Sequence, residues 1–250
     1  MAYLKFISDI DLENHIKNTL STYSNTIKSI NLSKFNSNII DPIKLTFDSN
    51  VYSKNMETII KEEIVRQRDK TNTNAIGCFH QNIFNYVKNC EVPKHGFDII
   101  YTKPDKTKIY VELKNKHNTM NSSSSQKTYM KLSSKALQEP SCECYLVEII
   151  AKHSQNIQWS VSLDGERVGN EKVRRVSIDK FYEIVTGEKD SFFNLCQILP
   201  SLIKKIIDSN EQLVVEEDTV IQELRDKNKD LLKAMYLLAF STYEGFDNLK

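Results

Sequence analysis

The stretch from Gly96 to Lys114 constrains the fold more than any other part of the chain. Residues 97–101, Phe-Asp-Ile-Ile-Tyr, and residues 108–114, Lys-Ile-Tyr-Val-Glu-Leu-Lys, are rich in β-branched and aromatic side chains, and the turn formers Pro104, Asp105, Lys106 and Thr107 separate them. This predicts a β-hairpin. Upstream the apolar period is helical: residues 11–30, then about 54–70 with Met56, Ile59, Ile60, Ile64 and Val65 on one face, then 73–89 with Ile76, Phe79, Ile83, Phe84 and Val87 together and Thr73 as N-cap. Downstream, the polar residues 115–125 suit a loop or a helix N-terminus, leading into a helix over about 126–137 that Pro140 ends. Strands are expected at 144–151, 157–163 and 173–177, with the turn-rich connector Asp164 to Gly169 between the last two. Helices follow at 179–186, 191–207 and about 216–240; the last carries Val220, Leu224, Leu231, Leu232, Met235 and Leu238 as a stripe for the core or a second subunit. No repeat or long linker divides the chain. The expectation is one α/β domain over residues 1–250, a central mixed β-sheet flanked by helices, with helical N- and C-terminal segments.

Charge selects no partner, because 34 basic residues meet 33 acidic ones and the formal net charge is +1. A polyanion would have to be met by a local basic cluster. Glycine is scarce, with six in the chain, and neither a phosphate-cradling Gly-rich loop nor a G-x-S-x-G elbow occurs, which argues against P-loop and serine-hydrolase chemistry. The five cysteines, Cys78, Cys90, Cys142, Cys144 and Cys196, complete no zinc pattern and are read as packing residues, as is Trp159. No apolar run is long enough for a membrane span or a signal peptide, so the reduced cytoplasm is the expected compartment.

Asp98 and Glu112 are equidistant from Asp105, so a hairpin turning there sets them opposite each other on neighbouring strands. Cross-strand Cβ atoms lie about 4.5–5.5 Å apart, which lets both carboxylates ligate one divalent cation. Alternation puts Lys114 on the face of Glu112 and sends Leu113 the other way, into the core. Two acids and a lysine around one point suit metal-assisted phosphodiester hydrolysis, with Mg²⁺ preferred for its hard oxygen ligands. The residues alone leave a plainer alternative open: a solvated cross-strand Glu–Lys–Asp cluster. After the hairpin, Lys116, His117, Asn118, Asn121, Ser122, Ser124, Gln126 and Lys127 form a cationic, hydrogen-bonding stretch with no acid before Glu139, continued by Lys131 and Lys135. Phosphate oxygens and base edges are its natural partners, although serine-rich loops are often merely solvated. Arg174 and Arg175 join the candidate DNA contacts; an exposed strand end explains them equally well. Upstream, Glu63 or Gln81 would touch the metal or its waters, with Gln81 preferred. A metal-bound water needs no histidine base, so neither His80 nor His117 is assigned that role.

Several runs resemble a family of type II restriction endonucleases that cut GGNCC: Asp41-Pro42-Ile43-Lys44-Leu45-Thr46-Phe47-Asp48, Arg66-Gln67-Arg68-Asp69-Lys70, residues 74–84, Gly96-Phe97-Asp98, the long run 111–129, and Ser177-Ile178-Asp179-Lys180-Phe181-Tyr182. The resemblance covers roughly residues 40–208 and leaves the first 40 residues and the segment 211–250 outside. It implies the PD-(D/E)xK superfamily, whose motif maps onto Asp98, Glu112 and Lys114, with Phe97 in the place of the proline. It further implies Mg²⁺-dependent cleavage of double-stranded DNA by a homodimer in a cell that carries a matching DNA methyltransferase. Two other functions stay open: a different PD-(D/E)xK nuclease, acting in repair or on junctions, and a non-catalytic DNA-binding module with structural carboxylates.

Overall fold

The computed structural model describes residues 2–163, 165–209, 216–244 and Phe246. In chain order its elements are α1 (Asp9–Thr26), α2 (Leu32–Asn36), α3 (Pro42–Val51), α4 (Met56–Asn82), a 3₁₀ turn over Ile83–Tyr86, β1 (Cys90–Glu91), β2 (Ile99–Thr102), β3 (Lys108–Lys116), α5 (Ser122–Gln138), β4 (Glu143–Ile150), β5 (Asn156–Leu163), β6 (Glu166–Ser177), α6 (Ile178–Thr186), α7 (Ser191–Asp208), α8 (Val220–Lys227) and α9 (Leu231–Phe240). The chain divides into two units, one built from residues 1–19 and 76–211, the other from 20–75 and 212–250. α1 and α4 contribute residues to both.

The first unit holds a mixed sheet in the order β1-β2-β3-β4-β6-β5. β2 and β3 form the expected hairpin, with Ile99 opposite Val111 and Thr102 opposite Lys108. Lys106, at φ 69°, takes the left-handed position of the turn, and Lys103 N–H donates to the Thr107 carbonyl at 2.8 Å. β3 then pairs in parallel with β4, and β4 with β6, so each of these connections must cross a face of the sheet. α5 makes the first crossing. It starts earlier than the periodicity suggests, because Asn121 accepts from Ser124 N–H as its N-cap and the serines become its first turn. Tyr129, Leu132 and Ala136 pack its inner face onto Tyr110, Cys144, Leu146, Val173 and Trp159. Trp159 is in that core, as expected. Cys142 and Cys144 are buried, whereas Cys78 and Cys196 are exposed and do not pack. β6 is longer than expected, reaching back to Glu166; of its connector, Asp164 lies outside the described residues.

The second unit is helical around Ile30, Phe35, Leu45, Ile59, Ile60, Ile64, Val220, Leu224 and Met235. α2 and α3 are additions to the sequence expectation. Asp41 caps α3 by accepting from Ile43 N–H at 2.9 Å, with Pro42 in the first turn. Two further differences have local causes. The helices expected at 54–70 and 73–89 are one helix through Asn82, because Thr71 hydrogen-bonds back to the Gln67 carbonyl and no Gly or Pro lies between the two expected segments; Gly77 is carried inside the helix, and Thr73 is interior, not a cap. Val65 lies outside the apolar face and is exposed. The long C-terminal helix is two: α8 stops at Lys227, and Asp230 starts α9 by accepting from Leu232 and Lys233 N–H. Residues 211–215, 245 and 247–250 of that expected segment lie outside the described residues.

Candidate active site

The hairpin register sets the site. Asp98 sits one residue before β2, where its N–H donates to the Val111 carbonyl at 2.9 Å and its Oδ2 accepts from Leu113 N–H at 2.7 Å. This continues the β2–β3 ladder and holds Asp98 across from Glu112. Glu112 is 8 % exposed; Lys114 follows two residues on and is half-buried. Leu113 is only half-buried, not a core residue, because the sheet's cover thins toward this end of β3. From α4, Gln81 donates its side-chain amide to the Asp98 carbonyl at 3.2 Å, so the helix braces the backbone that carries the first acid.

A second cation completes the site from α5. Lys131 Nζ donates to Glu112 Oε1 and, at 2.5 Å, to the Gly96 carbonyl, and lies 4.7 Å from the centre of the Phe97 ring. The Phe97 ring in turn packs 5.0 Å from the ring of Tyr110. The Phe97 ring is thus a shelf for the Lys131 ammonium. On the other side, Lys114 lies beside Glu148 of β4 in the parallel register. Glu148 is fully buried, and its Oε1 accepts two hydrogen bonds from Arg175 of β6, whose guanidinium also reaches the His117 carbonyl at 3.1 Å. The carboxyl ends of β3, β4 and β6 therefore carry a row of charged side chains on the face that, further back, packs against α5.

Oxygen chemistry decides which metal these residues suit. Among the described residues, Asp98 Oδ1 and Glu112 Oε2 make no protein hydrogen bond, so each acid keeps one oxygen for a ligand. No group of three or more His, Cys, Asp or Glu able to hold a metal occurs among the described residues. Two hard carboxylates fit a cation that retains most of its waters, which describes Mg²⁺, and they lack the nitrogen and sulfur donors that zinc favours.

The remaining candidates separate. Glu63 accepts from Arg66 and Gln67 on its own helix, in the other unit, and belongs to a packing cluster. His80 is largely buried with Nδ1 unpartnered, and desolvation, helped by the charge of His15, lowers its pKa to about 4. Lys116, Asn118, Asn121, Ser122, Ser124 and Lys127 are exposed, while Gln126 is tied to the Ser162 carbonyl at 2.7 Å. Lys135 does not extend the patch, since it pairs with Glu139 and lies over Tyr110. The arginine doublet splits across the sheet: Arg175 faces Glu148, and Arg174 donates to Asn156. Sequence reasoning missed two groups, Glu148 and the attachment of Lys131 to Glu112. A glutamate inside the apolar run Tyr-Leu-Val-Glu-Ile-Ile signalled the first; nothing local signals the second.

Known proteins resemble this chain over most of its length. A family model described as Eco47II restriction endonuclease matches residues 4–208, reaching back through α1 to include the N-terminal segment. The type II restriction enzyme Sau96I of Staphylococcus aureus is 34 % identical over 206 residues, 79 % of this chain and 78 % of its own length. The type II restriction enzyme Eco47II of Escherichia coli is 31 % identical over 216 residues, 83 % and 89 % respectively. A match that runs unbroken through α4, the acidic hairpin, α5 and β6 makes this chain a member of the Eco47II restriction endonuclease family.

Proposed function

We propose that this restriction endonuclease hydrolyses double-stranded DNA at GGNCC with Mg²⁺ held by Asp98 and Glu112. The observation that carries the proposal is the register that sets these two acids opposite each other, each with an open oxygen, and Lys114 on the same face. When bound, Mg²⁺ would polarise the scissile phosphate and acidify a water. The chain's own residues do the positioning. Lys114, with no carboxylate partner among the described residues, orients the attacking water or offsets negative charge that builds on the phosphate. Gln81 fixes the Asp98 backbone. The exposed residues Lys116, Asn118, Asn121, Ser122, Ser124 and Lys127 and the half-buried His117 meet the DNA, with Gln126, Arg174 and Arg175 at the edges of that surface.

Residues 1–250 act as one nuclease domain, and two copies act together so that each cuts one strand of the palindrome. A matching DNA methyltransferase protects the host genome in the same cytoplasm. No helix among the described residues is long and apolar enough to cross a membrane. The test is digestion of a sequenced plasmid with Mg²⁺ or EDTA, followed by end mapping. Discrete fragments with ends at GGNCC are expected, only with the metal. Cleavage confined to branched DNA, or discrete cutting that survives Glu112→Gln, would overturn the proposal.

A further inference from the structure

The ammonium of Lys131 stands where positive charge is needed, on one of the two acids assigned to the metal. It is anchored by three groups: Glu112 Oε1, the Gly96 carbonyl and the Phe97 ring. Its side chain is 40 % exposed, while that of Glu112 is 11 % exposed. The carboxylate is thus fixed in the protein and the cation is the mobile partner. A buried carboxylate beside a second one is costly without a counter-charge. Asp98 is tied to Leu113 N–H and has no ion-pair partner among the described residues, so Lys131 balances the acid pair from Glu112 alone.

We infer that Lys131 is the resident counter-ion of the metal site and that its ammonium gives way when a divalent cation binds Glu112. Two cations competing for one carboxylate lower each other's affinity, and the coupling is reciprocal. The long, flexible lysine stem suits this exchange, because it swings the charge into solvent without disturbing α5, whose inner face is held by Tyr129, Leu132 and Ala136. Lys131 is on this account a positioning residue. It holds the Glu112 carboxylate in register before the metal arrives, and it sets the metal concentration at which the enzyme loads.

This inference rests on the assignment of Asp98 and Glu112 as metal ligands, and one experiment separates the two. Mn²⁺ is titrated calorimetrically into the full-length, DNA-free protein, and thermal unfolding is recorded in EDTA and in Mn²⁺. Lys131→Met and Lys131→Gln should each tighten Mn²⁺ binding about tenfold, equivalent to about 1.4 kcal/mol. Both should lower Tm in EDTA and raise the stabilisation by Mn²⁺; Lys131→Arg, which keeps the charge, should stay near wild type. Binding that depends on Glu112 but is unchanged or weakened in Lys131→Met and Lys131→Gln overturns this inference alone. Binding that survives Glu112→Gln overturns the metal assignment and the inference with it. No binding in any variant also overturns the inference, because freeing Glu112 should then have revealed the site.

Discussion

Glu112 in the sheet unit and Glu63 in the helical unit are both buried glutamates, 8 % and 7 % exposed, and each is met by a basic side chain. They differ in completeness. Both Glu63 oxygens are taken by Arg66, one of them also by Gln67, and Gln67 donates onward to the Phe35 carbonyl, so the cluster closes on itself. Glu112 gives one oxygen to Lys131, keeps the other free, and faces a second acid. A satisfied buried charge is a packing element, whereas a half-satisfied one beside a like charge is an invitation to a cation. Burial alone does not tell the two apart; the account of lone pairs does.

The strongest way to break this comparison is to neutralise both glutamates. Glu112→Gln should lower plasmid cleavage by about 10³-fold at unchanged Tm or better, while Glu63→Gln should leave cleavage of folded protein nearly intact. Similar losses from both would show that completeness of partners predicts nothing. Next in size is a third buried acid, Glu148, which has one oxygen paired to Arg175 and one with no partner. Arg175→Met strands its charge and should cost about 3 kcal/mol or more in urea unfolding, and the double change with Glu148→Leu should recover much of that loss. An Arg175→Met protein with wild-type stability but weak DNA binding would assign Arg175 to DNA instead.

Acid sharpens the comparison further. Desolvation, aided by His15, depresses the His80 pKa to about 4 from 6.5, so the folded state binds less proton than the unfolded one between those values. Stability from His80 is therefore complete above pH 6.5 and is lost as pH falls toward 4, by roughly 2–3 kcal/mol. For Glu63, burial raises the pKa, but hydrogen bonds from Arg66 and Gln67 and the Arg66 charge outweigh it and leave it below 4.5. Its contribution persists to pH 4.5 and goes only below that. Fluorescence of the single tryptophan, Trp159, should report weakening of the sheet unit from pH 6.5 downward, and His80→Phe should flatten that slope. An unchanged slope would remove His80 from the account. The smallest effect is expected at Asn121→Ala, which removes the α5 cap at a cost of about 1 kcal/mol, read from the urea midpoint.

The hairpin was legible because its information is local: a turn at residues 104–107 fixes the register, and the register fixes who faces whom. Asp98, Glu112 and Lys114 follow from counting. Lys131 does not, since the rotation of α5 over the sheet is set by how Tyr129, Leu132 and Ala136 fit Tyr110, Cys144 and Leu146, and no spacing within the helix encodes that fit. Arg174 and Arg175 read as a pair in sequence, yet strand alternation parts them. The division of the C-terminal helix was written in Asp230, a good cap that the apolar stripe on either side obscured. Glu63 was visible as a candidate, and only its three donors reveal it as structural.

Both acids belong to one hairpin, whereas Lys131 lies on the crossover helix between β3 and β4. During folding, short-range closure at the Pro104–Thr107 turn brings two negative charges together before the βαβ unit can deliver their neutraliser. On its own the hairpin therefore carries the acid pair without Lys131, which reaches Glu112 only when α5 docks. A metal site built as proposed above is therefore complete only in a chain whose crossover helix has docked.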